Sequence, residues 1–156
     1  NEKLAFANTR ARLRMLTLYY YGQINGLLVC GTGNKVEDFG IGFYTKYGDG
    51  GVDISPIADL YKTEVYEIAR TLDLPESIKN AIPTDGLWDV ERTDEQQIGA
   101  TYPELEKIQK EWGTKTEKDY NGRDLEVFKI FSKMNKAAQH KINPIPVCDI
   151  PEEWRD

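Results

Sequence analysis

Apolar residues between positions 2 and 21 recur at helical spacing on two stripes, with Phe6, Leu13, Leu16 and Tyr20 on one and Leu4, Ala11, Met15 and Leu18 on the other. A helix that is apolar on two sides is buried or lies at an interface. Asn8 and Arg12 occupy one seam between the stripes, a turn apart, and Arg10 and Arg14 occupy the opposite seam. Taken alone, Arg12 reads equally well as half of a structural ion pair. After Gly26 the run Leu27 to Gly31, LLVCG, is continuously apolar and predicts a core strand covered on both faces. It is the one convincing strand signal in the chain. A strand has to pair to satisfy its backbone groups, so the pattern points to a sheet whose other strands lie elsewhere.

Downstream the pattern becomes helical. SPIADLYKTEVYEIARTLDLP predicts a helix with Asp59 as N-cap, an apolar stripe of Tyr61, Val65, Ile68 and Leu72, and Pro75 beyond its end. Lys62 then falls at the third helical position, where the helix dipole disfavours a cation unless an anion docks there. Residues 83–94 have no periodicity and predict a flexible loop with one large exposed aromatic, Trp88. TYPELEKIQKEW predicts a helix with Thr101 and Glu104 in capping-box spacing. Residues 125–139 predict another, apolar at Val127, Phe128, Phe131, Met134 and Ala138 and ending at His140 and Lys141, before a tail held extended by prolines.

With 156 residues, 40% hydrophobic and 29% charged, the chain is the size of one globular domain. A formal net charge of -6 argues against a general nucleic-acid binder, and no apolar run reaches the length of a membrane span. No signal-peptide pattern opens the chain, so the cytoplasm is the expected location. Cys30 and Cys148 form neither a disulfide framework nor a metal-ligand spacing, and both read as reduced, Cys30 as a small core hydrophobe. A single histidine, His140, leaves no persuasive nucleophile triad.

The segment Gly31 to Gly51 concentrates candidate chemistry: seven glycines beside Glu37, Asp38, Asp49, Lys35 and Lys46. Repeated glycine suits backbone that comes close to a polyanion. GTGNKV follows a strand signal and begins like a dinucleotide fingerprint, but Val36 stands where the third glycine belongs, and Gly40 and Gly42 interrupt the helix that should follow. No Walker-type loop is present.

The segments NTRARLRM, GTGNKVEDFGIGFYTKYGDGGVDISPIADLYKTEVYEIA, PTDGLWD, TDEQQIGATYPEL and the late HK, in this order, resemble the carboxy-terminal half of the ammonia-using NAD synthetases. The resemblance implies a helix-rich part of an α/β, doubly wound parallel-sheet domain of the ATP-pyrophosphatase type, with residues 1–156 its carboxy-terminal portion. Such enzymes adenylate the carboxylate of deamido-NAD with Mg-ATP, and ammonia then displaces AMP to give NAD. The resemblance implies that Thr32, Lys62 and Thr84 contact ATP, that Glu37 ligates Mg²⁺, and that Arg12, Lys46, Asp53, His140 and Lys141 contact deamido-NAD. It assigns no role to Asp49, and it implies a homodimer with the deamido-NAD site at the dimer interface.

The family's Ser-Gly-Gly-x-Asp-Ser pyrophosphate loop does not occur in this chain. Catalysis by the 156 residues alone is therefore not expected. The competing expectation is a non-catalytic module that keeps an oligomerisation surface or partial ligand affinity. A GMP or asparagine synthetase of the same fold is a third, weaker reading.

Overall fold

The computed structural model describes residues 2–88 and 92–155. Helix α1 spans Glu2–Asn25 and is followed by a π-helical segment, Lys35–Ile41. Then come α2 (Lys62–Thr71), α3 (Glu76–Lys79), α4 (Asp94–Ile98), α5 (Tyr102–Glu111) and α6 (Gly122–Ile142). A last 3₁₀ turn, Glu152–Trp154, follows a tail without regular structure.

The core forms where α5, α6 and the π-helical segment meet. Val36, Ile41, Leu105, Ile108, Val127 and Phe131 are almost fully buried there. Trp112 closes one end with its ring 4.8 Å from that of Phe131, and Phe128 stacks on Tyr120 at 5.0 Å. Thr101 caps α5 and exchanges hydrogen bonds with Glu104, as the spacing predicts. Helix α6 begins three residues earlier than its apolar pattern suggests, and Val127, Phe131 and Ala138 are its buried face.

Four expectations are corrected. Within Leu27 to Gly31 only Cys30 pairs, in an isolated parallel bridge to Ile54, while Leu27 and Leu28 are 66% and 68% exposed. Residues 53–54 are the segment's ladder partner among the described residues, through Asp53 N to Val29 O at 2.9 Å and Gly31 N to Ile54 O at 2.7 Å, too few bonds to define a strand. Asp59 is not the cap of α2, because it pairs with Lys35 at 2.8 Å. Helix α2 starts at Lys62 instead, its first amides taken by Glu64 (to Tyr61 N, 2.7 Å) and by buried Glu106 of α5 (to Thr63 N, 3.1 Å). Trp88 is half-buried rather than exposed, and residues 89–91 of its predicted loop lie outside the described residues. Both cysteines are exposed, so Cys30 is not a core hydrophobe.

The glycines of the 31–51 segment also answer to the protein's own packing. A Cβ at any of the seven would come within 2.0 to 3.0 Å of the protein's own atoms. Gly33 gives way to the Asp38 carboxylate, and Gly42, at φ +60, ends the π-helical segment against Ala138. Internal packing is thus one reason for small residues at these positions. Asn34 starts that segment, its side-chain oxygen accepting from Val36 N and Glu37 N at 3.1 Å each. Helices α3 and α4 and the π-helical segment were not signalled by apolar periodicity, because each is too short or too glycine-rich to carry one.

Candidate active site

Helix α1 grips two loops through the polar seams between its stripes. Asn8 accepts from Thr45 Oγ1 at 2.7 Å, and Arg12 Nε donates to the Lys46 carbonyl at 3.2 Å. On the other seam Arg10 donates to Leu87 O at 2.7 Å, and Arg14 donates to Asp85 O and Gly86 O at 3.2 and 3.0 Å. The arginines thus hold backbone carbonyls, with Ala7 and Ala11 buried between them.

These loops separate two clefts. The first, about 430 Å³, is lined by Arg12, Lys46, His140 and Lys141, the distant members of one expected set. Three of them are wired in sequence: Arg12 donates to Lys46 O, and Lys46 Nζ donates to the His140 carbonyl. Lys141 Nζ donates to Gly42 O and, at 2.6 Å, to Tyr44 O. Burial pushes the Lys141 pKa down, against the charges of Asp49 and Asp38. Burial likewise raises Asp38 to about 7, helped by the charges of Glu37 and Asp49. Tyr47, in the turn beside this cleft, holds φ +62, a strained conformation for a residue with a side chain.

The second cleft, about 510 Å³, collects Thr32, Glu37, Lys62 and Thr84, the other expected set, together with Asp94. Lys62 occupies the first position of α2, with Nζ 3.1 Å from Glu37 Oε1 and 5.1 Å from the centroid of the Tyr102 ring. The Tyr102 hydroxyl contacts Glu37 Oε1 and, at 3.0 Å, Asp94 Oδ2. One hydroxyl proton serves two carboxylates, and burial raises the pKa of both Asp94 and Tyr102. Tyr102 and Asp94 were missed in the sequence, where Tyr102 reads as a plain helix-start residue.

Asp53, expected beside Arg12, Lys46, His140 and Lys141, lines neither cleft. Its carboxylate accepts from Val29 N at 2.8 Å and from Tyr19 OH at 3.1 Å, tying residue 53 to the end of α1 and the 27–31 run. Phe43, Asp49, Asp85 and Leu87 line both clefts and form their common wall.

Among the described residues no three His, Cys, Asp or Glu side chains converge as a metal cage. Glu37 and Asp94, linked through Tyr102, suit a cation that draws most of its shell from water and phosphate, as Mg²⁺ does. Asp94 Oδ1 is buried without a hydrogen-bond partner, which fits a carboxylate with an acceptor to spare.

The NAD synthase family model matches residues 1–145. An NH3-dependent NAD synthetase of Thermoplasma acidophilum is 42% identical over 142 residues, covering 91% of this chain and 56% of the relative. One of Archaeoglobus fulgidus is 42% identical over 151 residues, covering 96% and 58%. Among solved structures, NMN synthetase from Francisella tularensis superposes with a TM-score of 0.79 at 31% identity, over 96% of this chain and 58% of that one. NH3-dependent NAD synthetase from Campylobacter jejuni gives 0.69 at 25% identity, over 94% and 56%. The chain spans a little over half the length of these relatives and shares their ATP-pyrophosphatase-type α/β fold, of which it carries a helix-rich part. No helix among the described residues is long and apolar enough to cross a membrane. By the family model and these identities, the chain belongs to the NAD synthase family.

Proposed function

We propose that residues 1–156 are the carboxy-terminal, substrate-holding portion of a single-domain, ammonia-dependent NAD synthetase, a cytoplasmic ligase that amidates deamido-NAD. The observation that carries this reading is the sorting of two scattered residue sets into two clefts with a common wall. Amidation through an adenylate requires the carboxylate of one ligand to reach the α-phosphate of the other, so the two ligand sites have to abut.

In this reading Thr32, Lys62 and Thr84 hold ATP, with the Lys62 ammonium and the α2 N-terminus meeting phosphate charge as it develops. Arg12, Lys46, His140 and Lys141 hold deamido-NAD, and Asp53 is kept in that set on the resemblance alone. Mg²⁺, held by Glu37 with Asp94 beside it, would spread the negative charge of the phosphates. A carboxylate oxygen of the dinucleotide attacks the α-phosphorus and the bond to pyrophosphate breaks. Ammonia then attacks the acyl carbon, the bond to AMP breaks, and the nitrogen loses its extra proton. The pyrophosphate loop that completes the ATP site comes from outside these 156 residues.

Mass spectrometry of reactions with deamido-NAD, ATP and ammonia tests the proposal. NAD is expected when the chain is joined or mixed with an amino-terminal half carrying that loop, and none from the 156 residues alone. Product from the 156 residues alone would overturn the partial-site reading. No product from the completed protein would leave a non-catalytic ligand-binding module. The likeness to an NMN synthetase favours a second reading, amidation of nicotinic acid mononucleotide, and that substrate in the same assay decides between them.

A further inference from the structure

The wall between the clefts carries one large side chain that the site roles above leave unused. Trp88 lines the first cleft only, Thr84 the second only, and Asp85 and Leu87 line both. The segment is held from three directions. The Asp85 carboxylate accepts from Leu87 N at 2.9 Å, from Trp88 Nε1 at 3.1 Å and from Gln97 Nε2 at 3.3 Å. Arg10 and Arg14 take the carbonyls of residues 85, 86 and 87 from the side of α1. Gly86, at φ +59, lets the chain turn between them.

A loop tryptophan gains nothing in the core from being fixed this way, because it is only half-buried. What the anchoring does is fix the orientation of an indole at the edge of a cleft that combines apolar side chains (Leu4, Met134, Ala137) with cationic and acidic ones (Arg12, Lys141, Asp49). The indole face already receives a cation, with Arg92 Cζ 5.9 Å from the ring centroid. A flat, electron-poor ring complements such a face, and an N-glycosylated pyridinium is one. Trp88 also adjoins the wall across which the reacting carboxylate has to reach.

Resting on the dinucleotide reading of the first cleft, we propose that Trp88 is the platform for the pyridinium ring of the substrate and that Asp85 is the residue that positions it. Asp85 acts on both clefts, because the same carboxylate orders the segment that follows Thr84.

The test is calorimetric titration of the completed protein with deamido-NAD, nicotinic acid mononucleotide, AMP and ATP. Trp88→Leu is expected to weaken deamido-NAD and the mononucleotide about tenfold and leave AMP and ATP unchanged, while Trp88→Phe keeps most of the affinity. Asp85→Ala is expected to weaken the pyridinium ligands and ATP together, a joint loss that Trp88→Leu does not show. Deamido-NAD binding unchanged in Trp88→Leu overturns the platform. A loss for AMP but not for the mononucleotide overturns the assignment of the pyridinium ring. Absence of deamido-NAD binding by the unmutated protein overturns the dinucleotide reading and this proposal with it.

Discussion

Lys62 meets Glu37 at 3.1 Å across the second cleft, each side chain largely shielded from water. A charge-assisted contact to phosphate contributes about 1.5 to 3 kcal/mol, so Lys62→Ala is expected to weaken ATP roughly 10- to 150-fold and deamido-NAD much less. Isothermal titration with both ligands reads this, and intact ATP affinity would reduce Lys62 to the structural partner of Glu37. Asp38 makes a separate claim about pH. Its folded pKa, about 7, lies above the ordinary 3.8, so between these values the folded state holds the extra proton. Stability is therefore lost as pH rises through that window. Asp38→Asn removes the loss: denaturant midpoints should agree below about pH 3, and the variant should be the more stable at about pH 8. Parallel pH profiles would show that Asp38 titrates normally.

The π-helical segment is the element on which the second cleft depends, since it carries Glu37 and is packed between α5 and α6. Asn34, 1% exposed, supplies the acceptor for its first two free amides, and one of these is the amide of Glu37 itself. Asn34→Ala should cost about 1 kcal/mol, with a range of roughly 0.5 to 2. It should also loosen Glu37, which a rise in the Mg²⁺ concentration needed for ATP binding would register. Unchanged urea unfolding would mean that α5 and α6 hold the segment without its cap. Helix α2 teaches a related lesson: its N-terminus is set by Glu106, 43 residues away from Thr63, rather than by the acidic residue just upstream.

For the whole molecule the conspicuous fact is how much apolar surface α1 leaves uncovered. Leu13, Leu16, Leu18, Tyr20, Tyr21 and Ile24 are each more than half exposed, and Leu27 and Leu28 extend the patch. An exposed apolar patch of this kind marks an interaction surface. The resemblance implies a homodimer, and we propose that a second copy covers part of this patch. Leu16→Glu, on this outer face, is expected to shift the protein from dimer to monomer in sedimentation equilibrium. A dimer that survives the charge would place the interface elsewhere.

The sequence by itself determined the helices that bury a regular stripe, α5 and α6, and the cap of α5, because these rest on contacts within a few residues. Through the colinear resemblance it also pointed to the family. Tertiary structure decided the rest. Cys30 to Ile54 pairing, the trans cap on α2 and the π-helical turn at Glu37 depend on groups tens of residues apart, which no local period encodes. The same is true of the seven glycines, where an added Cβ would meet neighbours such as Val52, Asp38, Gln109 and Ala138. Close packing is a property of neighbours in space, and only the folded chain determines which neighbours those are.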